Sequence, residues 1–194
     1  MTEISQFIFR ISLFVLIHSL FAVPSIKRRL AARSIHLRRL YRLYYNLASL
    51  VLLCWVMSAF RHSAVLYVVP GVWSLVLYFM QTVFLIILII CVSQTGAAEF
   101  LGFFVVNPGG QEIPRLATGG WYRVVRHPLY LFSILFLLSN PVISVRWLIF
   151  TSISVVYFIV GARIEERRLL VEFGSKYQGY QRAVPFMIPR IFTR

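Results

Sequence analysis

The chain contains no aspartate and only six glutamates, Glu3, Glu99, Glu112, Glu165, Glu166 and Glu172. So thin a supply of carboxylates argues against metal sites built on oxygen ligands, which draw on several such side chains. Cysteine is scarcer still, with Cys54 and Cys91 alone. Neither has a partner at metal or redox spacing, so no disulfide or metal framework is implied. His18, His36, His62 and His127 are scattered in the same way. There is no glycine-rich dinucleotide fingerprint, no phosphate loop and no serine nucleophile elbow. Charged residues make up 13% of the 194 positions, about half the share of a soluble domain. A soluble domain of this length could not bury the 59% of residues that are hydrophobic. Disorder fails on the same count, because disordered chains are poor in aromatic and branched apolar residues. A single polytopic membrane domain over residues 1–194 remains.

Five apolar runs are long enough to be read as spans. Residues 4–23 form the first; Arg10 lies inside it and no small-residue cleavage site follows, which favours a retained helix over a signal peptide. Leu43–Phe60 is the second. Val65–Val92 is the third, and its excess length predicts tilt or an entry turn at Pro70. Ala97–Val106, holding Glu99, is too short to cross and suits an interfacial or re-entrant piece. Residues 128–138 and 142–160, parted by Asn140-Pro141, read as a helical hairpin. The chain therefore divides into three N-terminal spans (1–93), a connector (94–127), the hairpin (128–163) and an amphipathic tail (164–194). In the tail, Gly174 is placed to cap a helix, and Pro185 and Pro189 forbid another long one.

The formal charge of +14 would suit a nucleic-acid partner if it were spread over one surface. It is not: seventeen of the twenty Lys and Arg fall in residues 24–42, 107–126 and 161–194. Five crossings place those three segments on one side, and the positive-inside rule makes that side cytoplasmic. The expectation is an all-α protein of about five transmembrane helices, N-terminus outside and C-terminus inside. The charge then reports topology, and no nucleic acid is needed to explain it.

Chemistry is expected where polar groups gather at the basic membrane edge. In Gly119-Gly120-Trp121-Tyr122-Arg123-Val124-Val125-Arg126-His127-Pro128-Leu129-Tyr130, Pro128 suits the first turn of a helix and holds His127 extended. The amides of Leu129, Tyr130 and Leu131 would then face the cytoplasm and attract a carboxylate or phosphate. The same residues would equally serve as an interfacial anchor of Trp, Tyr and Arg. Arg163-Ile164-Glu165-Glu166-Arg167-Arg168 puts two carboxylates at a membrane edge, where they hold either a cationic ligand or the neighbouring arginines. Tyr177 and Tyr180, three apart, share a face of a short helix and could wall a pocket.

The order of these motifs resembles the C-terminal signature of integral membrane methyltransferases. Arg126-His127-Pro128-Leu129-Tyr130, an apolar hairpin, Glu165-Glu166, Phe173-Gly174 with Tyr177 and Tyr180, then Val184-Pro185 and Ile188-Pro189 are similar to the isoprenylcysteine carboxyl methyltransferase and phospholipid methyltransferase family. The resemblance covers about residues 114–190. It implies S-adenosylmethionine as cofactor, with S-adenosylhomocysteine as product, in a cytoplasmic pocket built from the C-terminal half. Carried over by motif, Pro114, Arg115, Leu116, Ala117, Tyr122, His127, Pro128, Leu129, Tyr130, Glu165, Glu166 and Tyr177 would bind the cofactor. Arg163 would face the methyl acceptor and, with Glu165 and Glu166, form the catalytic set. Some relatives carry a longer acidic run than this pair. The acceptor implied is lipophilic and enters from the bilayer: a prenylcysteine-like carboxylate or thiol, or a lipid amine. Membrane lipids are the other partners, in a plasma membrane or, in a eukaryote, the endoplasmic reticulum.

Two other functions fit parts of the pattern. A nicotinamide-dependent membrane sterol reductase resembles the Arg-His-Pro-x-Tyr element and the tyrosine tail, but such chains are usually longer. A scaffold or transporter would need a polar path through the spans, where only scattered Ser, Thr, Asn46, Gln81 and His18 occur.

Overall fold

A computed structural model of the chain describes residues 3–59, 63–96 and 116–190. It is mostly helical and separates into two compact units, one formed by the N-terminal helices and one by residues 65–95 with the C-terminal part.

The first unit contains α1 (Glu3–Ala22), α2 (Pro24–Ala31) and α3 (Ile35–Met57). The contacts between α1 and α3 run in opposite chain directions, from Arg10 with Trp55 to Phe21 with Tyr41, so the two helices are antiparallel. Phe7, Ile11 and Val56 are its buried apolar residues at one end. Arg10, the one cation inside the first apolar run, donates to the Trp55 carbonyl (3.2 Å) and to Ser58 Oγ (3.1 Å). That carbonyl lies in the last turn of α3, where the helix leaves acceptors without partners of its own. The guanidinium also lies 5.0 Å from the Trp55 ring centre. A charge in an apolar helix is tolerated when it is met this way. The second span starts earlier than its apolar run: α3 takes in Arg42 and the residues before it, and its apolar part is Leu40–Met57.

The second unit begins with β1 (Val65–Val68), followed by α4 (Val72–Gln94). The long third run is thus resolved by a turn at Pro70-Gly71, where Gly71 has φ 57°. α4 packs chiefly against α5 (Pro128–Leu138), and α5 in turn against α6 (Val145–Phe173). Gln81, the polar residue inside α4, donates to the Phe136 carbonyl at 3.1 Å. A short α7 (Ser175–Ala183) closes the chain. Gly174 separates α6 from α7 at φ 52° and ψ −126°, and its amide donates to Leu170 O (3.0 Å), so a glycine caps the helix as expected.

Among the described residues, four helices against the five expected are long and apolar enough to cross a membrane: α1, the Leu40–Met57 part of α3, α4 and α6. α5 has eleven residues, about 16 Å at 1.5 Å per residue and half a hydrocarbon core. It ends because Pro141 cannot continue it and because Asn140 Oδ1 accepts from the Val142 amide (3.2 Å) to form a turn. The chain then enters β2 (Val142–Ser144), which pairs antiparallel with β1, Val68 opposite Val142 and Tyr67 opposite Ile143. This two-stranded ribbon is a small exception to the all-α expectation. Ser144 then caps α6, its hydroxyl accepting from Trp147 N at 3.2 Å. Large apolar residues such as Phe79, Trp73 and Val156 face outward, as a bilayer requires, and the protein is an integral membrane protein.

The expected re-entrant piece Ala97–Val106 lies outside the described residues. Beyond it, a 3-10 turn (Gly120–Arg123) lays Trp121 and Tyr122 on a core of Cys91 and Phe132, with Phe84 and Leu129 around it. Trp121 meets Phe132 edge-on at 5.0 Å. Gly120 has φ 56°, and a Cβ there would overlap the Gln94 side-chain amide, whose oxygen accepts from Trp121 N. Glycine is needed on both counts. We predict that Gly120→Ala lowers stability by about 1–2 kcal/mol, read as a drop in melting temperature in detergent. Adding Gln94→Ala should recover only the steric part, since the backbone strain remains.

Candidate functional site

The ribbon lies at one end of the second unit, and at the other the start of α5 meets the C-terminal half of α6. Pro128 occupies the first turn of α5 as expected, and His127 precedes it with φ −124° and ψ 61°, short of fully extended. Leu131 N donates to His127 O (3.1 Å), so the expected trio of first-turn amides is reduced to Leu129 and Tyr130.

Arg126 organises everything around this start. Its Nε donates to Glu166 Oε1 at 2.6 Å, and one terminal nitrogen donates to Gln181 O (2.9 Å) and Val184 O (2.6 Å). Those carbonyls belong to the last turn and cap of α7, where a cation is favoured. The backbone adds two more ties: Arg126 N to Pro185 O (2.9 Å) and His127 N to Phe186 O (3.2 Å). The tail is therefore laid along the segment before α5 like a short strand. Tyr180 OH donates to Tyr122 O at 2.5 Å and fastens it again.

The two glutamates have different surroundings. Glu166 Oε1 receives Arg126, lies 3.4 Å from His127 Nε2, and accepts from Tyr177 OH at 3.4 Å; its side chain is 13% exposed. Glu165 is 46% exposed, with Oε2 3.8 Å from His127 Nδ1. The Tyr130 phenol also reaches Glu165. Burial holds the His127 imidazole below its ordinary pKa although both carboxylates pull it up, so the ring is neutral at pH 7 and keeps one donor and one acceptor nitrogen. Burial pushes the Tyr122 and Tyr177 phenols upward, and Tyr180 to about 12, so all three remain protonated donors.

Phe186 is the hub of the remaining contacts. Its ring centre lies 5.0 Å from His127, edge-on, and 4.9 Å from the Arg163 guanidinium. The Tyr130 ring centre stands 5.8 Å from that of His127. A Cβ at Gly161 would meet the Tyr130 phenol oxygen at 3.7 Å, an ordinary van der Waals contact.

His127, Tyr130, Arg163, Glu165, Glu166 and Tyr177 are therefore brought together. Pro128 is buried directly beside them. Ala117, Tyr122 and Leu129 instead contribute to the Cys91–Phe132 core, although the Tyr122 carbonyl holds Tyr180. Leu116 is described as irregular backbone, and Pro114 and Arg115 lie outside the described residues. Sequence reasoning missed Arg126 as the partner of Glu166, and Phe186 altogether. Arg126 carried a signal, being the cation adjacent to His127-Pro128 in a chain with few acids; Phe186 carried none beyond following Val184-Pro185.

Comparison with known proteins places this geometry in context. Methanethiol S-methyltransferase 2 of Bradyrhizobium diazoefficiens is 41% identical over 73 residues, 38% of this chain and 28% of that protein. Methanethiol S-methyltransferase of Crocosphaera subtropica is 38% identical over 77 residues, 40% of this chain and 30% of that protein. A Mycobacterium tuberculosis protein of the same name is 34% identical over 68 residues, 35% of this chain and 28% of its own length. The chain thus covers less than a third of each of these relatives. No solved structure matches. The model of the family described as NnrU protein matches residues 6–185, nearly the whole chain. The chain belongs to the NnrU protein family.

Proposed function

We propose that this protein is a membrane methyltransferase that moves a methyl group from S-adenosylmethionine to a lipophilic thiol at the basic membrane edge. Support for the reaction comes from the relatives, several of which are named for methyl transfer to a thiol. Support for the place comes from the cluster of His127, Tyr130, Arg163 and Glu165 beside the start of α5. The single observation carrying the reading is the unequal pair: Glu166 is held by Arg126, while Glu165 stands half exposed beside it.

The donor set fits the cofactor. Its ammonium needs a carboxylate, which Glu165 would supply, and its carboxylate needs amides at a helix start, which Leu129 and Tyr130 would supply. When bound, the cofactor provides an electrophilic methyl group on a positively charged sulfur. The chain's part is then binding and alignment, which contribute several kcal/mol without a covalent intermediate. The acceptor would react as its thiolate, its proton lost to water at the membrane edge; S-adenosylhomocysteine would leave, and Arg163, already at the edge of the cluster, would stabilise the negative charge. An acceptor carrying a carboxylate would be oriented by the same guanidinium. The charged end of the second unit, with Arg123, Arg126, Arg163, Arg167 and Arg168, is taken as cytoplasmic.

Glu165→Gln should weaken S-adenosylhomocysteine binding about tenfold, roughly 1.4 kcal/mol, in calorimetry on protein in nanodiscs, with an unchanged melting temperature. Arg163→Ala should slow labelled methyl transfer to lipophilic thiols more than it changes cofactor affinity. Full activity in both variants removes these residues from the mechanism, and tight NADPH binding without S-adenosylhomocysteine binding overturns the reading. Arg126→Ala acts differently. It leaves Glu166 and the Gln181 and Val184 carbonyls without their cation, costing about 3 kcal/mol. Amide hydrogen exchange should then accelerate across residues 181–187 before it does in α4.

A further inference from the structure

The first unit contains a cavity of about 240 Å³ between α1, α2 and α3. Four rings wall it, from Phe21, Tyr41, Tyr44 and Tyr45, and its polar lining includes His18 and Ser49. The wall is fixed in place, since Tyr41 OH donates to Phe21 O at 2.6 Å. His18 sits in an apolar helix, where an ionisable group is a functional candidate by default. Its Nδ1 lies 2.9 Å from Ser49 Oγ, and Tyr45 OH lies 2.8 Å from its Nε2 and 3.2 Å from its Nδ1. Phe14 stacks on the ring at 5.4 Å.

The chemistry of that triplet is reversible. A neutral imidazole donates from one nitrogen and accepts at the other, so one neighbouring hydroxyl gives its hydrogen to the ring and the other receives one. Exchanging the tautomer exchanges the two roles. The group can thereby complement either a carbonyl or a hydroxyl oxygen. The walls add shape: aromatic faces favour a flat ring, by offset or edge contact. The volume sets the size. It lies just below the roughly 300–1,000 Å³ of drug-sized sites, enough for one substituted ring whose tail remains in lipid. An acyl chain has no oxygen at this depth and gains nothing from the triplet.

We propose that this cavity binds the oxygen-substituted six-membered ring of a lipid-phase quinone or quinol, with the Tyr45 and Ser49 hydroxyls, oriented by His18, meeting a ring oxygen. The site is independent of the methyl-transfer reading, and no electron transfer is implied by it.

The test uses the whole chain in quinone-free phosphatidylcholine nanodiscs, titrated with a benzoquinone bearing a decyl tail. Saturable binding at one per chain is expected. His18→Leu should weaken it at least tenfold, and Ala48→Phe, which fills the cavity and leaves the triplet intact, should abolish it. Melting temperature and circular dichroism report whether each variant folds; where His18→Leu does not, Ser49→Ala with Ala48→Phe decides. Glu165→Gln should bind the quinone as the parent does. Decylbenzene and oleate should fail to displace it. Absence of saturable binding, unchanged affinity in Ala48→Phe, or displacement by oleate or decylbenzene as effective as by the quinone itself overturns the proposal.

Discussion

Arg126 is joined to three separate parts of the chain at once. Its backbone lies against Pro185, its side chain spans the end of α7 at Gln181 and Val184, and its guanidinium meets Glu166 on α6. Each contact uses an acceptor that would otherwise be poorly served: last-turn helix carbonyls and a carboxylate that is 13% exposed. A charged hydrogen bond contributes about 1.5–3 kcal/mol, and removing one partner of a buried pair costs more, because the other is stranded. The tail is held on the bundle by this side chain, and His127, Phe186 and Arg163 meet because the tail is held.

The same economy of polar groups runs through the spans. A membrane core offers no water to complete a hydrogen bond, so a polar group inside it is stabilised by a protein partner, and among the described residues Thr151 Oγ1 is the buried exception. Arg10 finds the end of α3, Gln81 finds the Phe136 carbonyl, and His18 finds Ser49 and Tyr45. The first two contacts join neighbouring helices and go no further. The third borders a cavity, and this separates His18 from the others: a satisfied group that is also next to empty space can serve a ligand.

How much of this was legible depended on which physical signal each feature left. Span positions follow from apolar runs, and α1, α3, α4 and α6 lie where those runs are. The fourth of the expected spans differs because residues 128–138, apolar but for Ser133, form a helix of only eleven residues; hydropathy reports the environment and not the length needed to cross. The ribbon was hidden because Val65–Val68 and Val142–Ser144 each merge with the apolar helix that follows. Their pairing is a contact between distant parts of the chain, which no local pattern records. Pro128 and Gly174 were readable because backbone constraints are local. The gathering of His127, Tyr130, Arg163 and Glu165 had a motif signature, but the unequal roles of Glu165 and Glu166 depend on where Arg126 points, which only tertiary structure decides.

That inequality bears on the proposed chemistry. Two adjacent carboxylates with the same exposure would repel each other, and one would take up a proton. Here the Arg126 guanidinium on Glu166 offsets that repulsion, and Glu165 stands half exposed beside it. A neutral His127 between them supplies hydrogen bonding without adding a positive charge that would repel a sulfonium ligand. Methyl transfer asks for little more, because its leaving group is good and no bond to the enzyme forms. What it does need is a cationic donor and a nucleophile arriving from different phases and meeting in line. A cluster at the end of an apolar bundle, open to water at Glu165 and bordered by lipid-facing helices, has access to both.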